Sequence, residues 1–103
     1  MIKAPQVLLI HIVRFNIRLQ KIHDFVKFPL KLTTPHISSG NEQSFAYQLR
    51  GLIVHVGSSL NSGHYICYFF TKGNWYKADD STITPVSWQR VSMLQAYILL
   101  YTK

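Results

Sequence analysis

The sequence predicts an α+β fold: a mostly antiparallel β-sheet carrying one short helix. Three observations predict it. The apolar residues come in short runs rich in β-branched and aromatic side chains, which suit a pleated surface. Lys72-Gly73 forms a turn between two such runs. Only one segment, Pro85 to Ala96, carries a helix-start signal, and it has room for a turn or two. At 103 residues and 11.9 kDa the chain is one domain at most, 1–103, with no internal repeat or low-complexity tract.

The elements follow in order. Gln6 to Phe15 is an almost unbroken apolar run and reads as a central strand covered on both sides. Phe25 to Leu32 alternates weakly, and Pro29 points to an edge or irregular strand. Thr33 to Ser44 is polar and reads as the one clear loop. Strands are predicted over Tyr47–Val56, Tyr65–Thr71 and Asn74–Ala78, with Gly57 to Gly63 a flexible Gly/Ser/Asn loop. Ser87 is the N-cap of the short helix, and Tyr97–Tyr101 closes the chain as an apolar strand.

Composition narrows the function classes. Apolar residues make up 48%, but charged residues only 15%, so a domain this small is expected to keep an apolar face after folding. The net charge of +7 is dispersed, with Lys3, Arg14, Arg18, Lys21, Lys27 and Lys31 spread along the first third. Weak attraction to polyanions follows, but no element that reads nucleic acid accompanies the charge, so specific recognition is not expected. Cys67 is the only cysteine, which excludes an intramolecular disulfide. No apolar run approaches the ~18 residues of a membrane span, and no signal-peptide layout is present, so cytosol or nucleus is the expected compartment.

The chemistry centres on His64 and, fifteen positions later, Asp79 and Asp80. Side chains alternate along a strand, so Ile66, Tyr68 and Phe70 share the face of His64, and Tyr65, Cys67 and Phe69 point the other way. Cys67 is therefore not a thiol that His64 activates, and it reads as a small buried hydrophobe. A zinc site from His55, His64 and Cys67 fails on ligand number and direction. If Lys72-Gly73 is a two-residue hairpin loop, Ile66 faces Asp79. The acid then falls on the His64 face as a diagonal neighbour, and Asp80 points away. A three-residue loop exchanges the two acids. A carboxylate so placed fixes the tautomer of the imidazole and favours its protonated form, which in turn stabilises a thiolate partner. Taken alone, the same residues read as a strand-end histidine beside a polar Asp-Asp-Ser turn. The wider pattern decides between the two.

Four stretches carry that pattern. They are Leu8 to Phe15, ending in Arg-Phe; Val26 to Pro29; Tyr47 to Gly57 continuing through Gly63-His64-Tyr65, Trp75 and Asp79-Asp80-Ser81; and Val91 followed by Ala96 to Tyr101. In this order they resemble the C-terminal, histidine-box portion of the catalytic domain of ubiquitin-specific proteases, the papain-like cysteine deubiquitinases. The resemblance implies half of a papain-like fold. It implies His64 as general base, Asp79 as third triad member and Asp80 as a supporting acid. Gly57 to Gly63 corresponds to the loop beside the channel for ubiquitin's C-terminal tail, with Gly57, Ser58, Gly63 and Tyr65 on the substrate side. Glycine suits a channel that admits a Gly-Gly tail at close backbone approach.

The departures are as informative. The family's cysteine box, its oxyanion-hole Asn or Gln and the Cys-x-x-Cys pairs of its zinc fingers do not occur in these residues, and Ala78 stands where an aromatic is frequent. The expectation is an incomplete protease domain whose N-terminal cysteine-box half is absent. Ubiquitin or a ubiquitinated protein and that missing half are the expected partners, and neither cofactor nor metal is expected. Alone, the chain is expected to be inactive. The alternative is a non-catalytic module that binds ubiquitin or a protease.

Overall fold

A computed structural model describes residues 6–12, 26–38, 41–59 and 62–103. The elements are β1 (Val7–His11), β2 (Lys31–Ser38), β3 (Asn41–Ser59), β4 (Ser62–Thr71), β5 (Asn74–Asp79), β6 (Thr82–Val86), α1 (Trp88–Val91) and β7 (Ala96–Thr102). They form one sheet in the order β1-β7-β3-β4-β5-β6, with β2 paired to the first part of β3, and every pairing is antiparallel. Among the described residues the mostly antiparallel fold class with a single short helix thus holds.

The core lies on one side of this sheet. Tyr47, Leu49, Leu52, Tyr68, Trp75, Leu99 and Tyr101 project into it, each 7% exposed or less. Val91 of α1 and Ala96, both fully buried, and Phe28 close over them. Ser87 caps α1 by accepting from the backbone N–H of Arg90. The Trp88 ring of that helix packs on Trp75 at 5.6 Å and on Phe28 at 6.3 Å between centroids. The buried Tyr101 hydroxyl donates to Pro29 O at 2.6 Å, so the chain before β2 is tied down by a hydrogen bond rather than by strand pairing.

Several expectations are corrected. Among the described residues the first apolar run pairs only with β7 and is an edge strand, not a central one. Val7 and Leu9 are 54% and 64% exposed, and the alternate side chains Leu8, Ile10 and Ile12 pack on the core. Residues 13–15 of that run lie outside the described residues. The polar stretch from Thr33 is no loop. It forms a hairpin in which Lys31 to Ser38 pairs in register with Gln48 back to Asn41. Ladder hydrogen bonds are blind to side-chain polarity, and Pro35 is tolerated because β2 pairs only with β3 among the described residues. Phe25 to Leu32 contributes only its end to a strand, since 26–29 is irregular backbone. Thr82–Val86 is a strand whose alternation Pro85 masks in the sequence; among the described residues it pairs only with β5.

Candidate active site

Two hairpins bring His64 and Asp79 together. The β4–β5 hairpin closes through Lys72 and Gly73, at φ 51° and 83°, with Thr71 paired to Asn74. Left-handed backbone at both positions matches the right-handed twist of the flanking strands, which is why a two-residue loop with glycine works here. The register then runs without interruption to Cys67 opposite Ala78. One further step sets Asp79 opposite Ile66, diagonal to His64, as the two-residue loop predicts.

The β3–β4 hairpin is built differently. Val56 pairs with His64 and Ser59 with Ser62, so Gly57 and Ser58 oppose Gly63 alone, which is a β-bulge. Both glycines sit at positive φ, 147° and 132°. The region expected to be a flexible loop is therefore largely strand, with residues 60–61 outside the described ones, and His64 is the third residue of β4 rather than the first. The bulge lets the ladder continue past a register that would otherwise break it.

His64 Nε2 and Asp79 Oδ1 lie 2.5 Å apart, with side chains 44% and 38% exposed. Asp79 accepts from the Nε2–H group, which fixes that tautomer and leaves Nδ1 as the basic nitrogen. The hydrogen bond to Asp79 raises the His64 pKa above its ordinary value. Partial desolvation opposes the rise, and the charges of Asp79 and Asp80 add to it. Tyr68, on the same face, is raised by burial first and then by the Asp79 charge.

Asp80 departs from the alternation argument. It lies past the end of β5 in the turn to β6, at φ 53°, where strand parity no longer governs direction. Its carboxylate joins the cluster: one ligand atom each from His64, Asp79 and Asp80 lie within 4.8 Å of one another. Such spacing admits a cation, and it is also what an imidazole flanked by two acids produces. Asp79, Asp80, Lys77 and Ser81 further line an open polar pocket of about 460 Å³.

The remaining predicted residues distribute around this pair. Gly57, Ser58 and Gly63 form the bulge, and Tyr65 is 49% exposed on the face opposite His64. Cys67 is directed away from His64 as alternation requires, but it is exposed rather than buried. It lines an apolar groove with Leu9, Ile53, Phe69, Ile98 and Leu100, and desolvation by these neighbours pushes its thiol up in pKa. The sequence offered His55 only as a zinc-ligand candidate with His64 and Cys67, and its burial is the structure's addition. His55 is 2% exposed and pairs with Tyr65, next to the Val56–His64 pair. The strand pairing sets it on the Tyr65 face, and nothing in the sequence marks that position as covered.

Residues 1–101 match the family model of ubiquitin carboxyl-terminal hydrolases. The chain belongs to that family. It is 40% identical over 98% of its length to ubiquitin carboxyl-terminal hydrolase 16 of Arabidopsis thaliana, and 38% identical over 98% to ubiquitin carboxyl-terminal hydrolase 3 of Homo sapiens. It spans only 10% and 21% of those relatives. Among solved structures, the Ubp8-Sgf11-Sgf73-Sus1 SAGA DUB module matches with a TM-score of 0.81 at 33% identity, over 97% of this chain and 24% of the other. The same kind of module bound to ubiquitin aldehyde matches with a TM-score of 0.82 at 32% identity, over 95% and 24%. Family membership of this kind makes the chain a relative of ubiquitin hydrolases, including ubiquitin-specific proteases.

Proposed function

We propose that this chain supplies the histidine and acid of a cysteine-type deubiquitinating centre, which cleaves the isopeptide bond after the C-terminal glycine of ubiquitin. The observation that carries the reading is the Nε2–Oδ1 hydrogen bond between His64 and Asp79, set within a chain of this family. Asp79 holds the ring and favours the imidazolium, and Nδ1 faces the reaction.

The nucleophile comes from outside these 103 residues, since the one cysteine, Cys67, lies on the other face of β4. A thiolate supplied by a cysteine-bearing half attacks the carbonyl carbon of ubiquitin's terminal glycine. The His64 imidazolium protonates the departing lysine amine. His64 then takes a proton from the water that cleaves the thioester, which frees ubiquitin's carboxylate and returns the thiol. Gly57, Ser58, Gly63 and Tyr65 border the path of the ubiquitin tail, and Asp80 supports the charge balance beside the ring.

The test is reconstitution. The chain alone is expected to show no turnover of a ubiquitin C-terminal fluorogenic amide. Fusion to, or mixing with, the cysteine-bearing half of a family member is expected to give turnover that His64→Ala abolishes. Turnover by the isolated chain, or turnover indifferent to His64, sinks the reading. Ubiquitin binding without reconstituted activity favours a non-catalytic binding module instead.

A further inference from the structure

The bulged hairpin rests on a side chain that the proposed reaction does not use. Gly63 shares strand parity with Tyr65, and both face His55 across the β3–β4 ladder. A Cβ built at Gly63 would lie 2.6 Å from His55 Nε2 and 2.9 Å from Cε1, and closer still to Val56 O. There is thus no space between the His55 ring and the backbone of the residue that precedes His64. On the next position of that face, the Tyr65 ring meets His55 edge-on at 5.0 Å between centroids, and Tyr97 of β7 backs the ring at 6.3 Å. His55 is therefore held from β7 and in turn supports Gly63 and Tyr65, the two neighbours of His64. The His64 side chain leaves the backbone on the opposite face, toward Asp79.

We infer that His55 is a positioning residue: its buried ring is the shelf that sets the backbone at Gly63–Tyr65, and through it the distance between His64 Nε2 and Asp79 Oδ1. The inference rests on reading His64 as the acid–base residue. Its physical basis is that the His64–Asp79 pair is more than a third exposed, so little besides the backbone under His64 fixes the ring against the acid. A buried ring with no room between it and the Gly63 backbone passes a displacement on, because there is no free volume there into which to relax.

The test is the His64 imidazole titration, followed by NMR in this chain and assigned by its loss in His64→Ala. The groups that set it are Asp79 and Asp80, with Tyr68 on the same face. His55→Ala and His55→Gln each remove the ring. Each is expected to move the His64 titration down from wild type toward that of Asp79→Asn, and His55→Phe, which restores a ring, is expected to return it upward. Leu49→Ala is the control. It empties an equally buried site on the same strand, six positions and about 20 Å away, and is expected to lower stability without moving His64. Where the alanine variant fails to fold, the glutamine variant carries the test.

A wild-type His64 titration in the folded His55 variants overturns the inference. A shift in Leu49→Ala as large as theirs also overturns it, because His55 then acts only through general loosening. The readout involves no turnover, so failed reconstitution would strike the deubiquitinase reading and leave this result standing.

Discussion

His64 and Asp79 reach each other by two hairpins built on different principles. The β4–β5 hairpin is regular, with a two-residue left-handed loop and an unbroken ladder, so its register follows from loop length alone. The β3–β4 hairpin is bulged, with its register shifted between Val56 and Ser59 and its glycines at positive φ. The first hairpin places the acid by local rules. The second places the base by packing, because what fills the space under Gly63 is a ring from the neighbouring strand. A site of this kind draws its regular half from turn chemistry and its irregular half from tertiary contact.

The largest expected effect breaks the meeting point itself. In the reconstituted enzyme, Asp79→Asn is expected to lower kcat on the order of 10²–10⁴-fold and to bring the His64 titration down. Steady-state kinetics and NMR titration check it, and unchanged kcat would remove Asp79 from the mechanism.

Next comes the contrast between the two hairpins' glycines. Gly63→Ala drives a methyl into His55 and the Val56 carbonyl at a φ of 132°, so a loss of roughly 2–4 kcal/mol is expected in urea unfolding. Gly73→Ala has the same conformational problem at φ 83° but nothing within 4 Å, so only the left-handed cost of about 1 kcal/mol is expected. Equal losses would erase the distinction between a hairpin set by packing and one set by its turn.

Smaller effects sharpen the acid end. Asp80→Asn keeps a residue type that tolerates left-handed backbone, so stability is expected to stay within about 0.5 kcal/mol of wild type. The His64 titration is expected to fall slightly, with less change than in Asp79→Asn. The smallest effect is a pH dependence. The folded state raises the His64 pKa above its unfolded value of about 6.5. The stabilisation from this pair is therefore fully present below that value and lost as pH rises through the folded pKa. Wild type is expected to exceed His64→Gln in stability by more at about pH 5.5 than at about pH 8. The opposite trend would mean that the pair does not favour the imidazolium.

Much of the fold was legible where local rules dominate. The strands at Tyr65–Thr71 and Asn74–Ala78, their turn, the Ser87 cap and the closing apolar strand all follow from period-two patterning and capping chemistry. Legibility failed where a neighbour decides. Thr33 to Ser38 pairs with Ala46 back to Asn41 despite its loop-like composition, since a β ladder is satisfied by the backbone of an adjacent strand. The run from Val7 is apolar on both faces, but only a partner strand could say whether both are covered. Asp80 escaped the alternation argument because it sits one residue past the strand, in left-handed backbone. The apolar surplus leaves Val7, Leu9, Val56 and Ile83 exposed among the described residues.

The sequence by itself determined the family and the β-rich class, and narrowed the partner of His64 to Asp79 or Asp80, with a two-residue loop favouring Asp79. These follow from residue order, strand period and loop length, all of which are local. Only the tertiary structure decided that β1 is an edge, that Asp80 turns back toward the imidazole, and that a buried His55 lies beneath Gly63. Each of these depends on which surface of a distant segment arrives alongside, and no one-dimensional pattern records that.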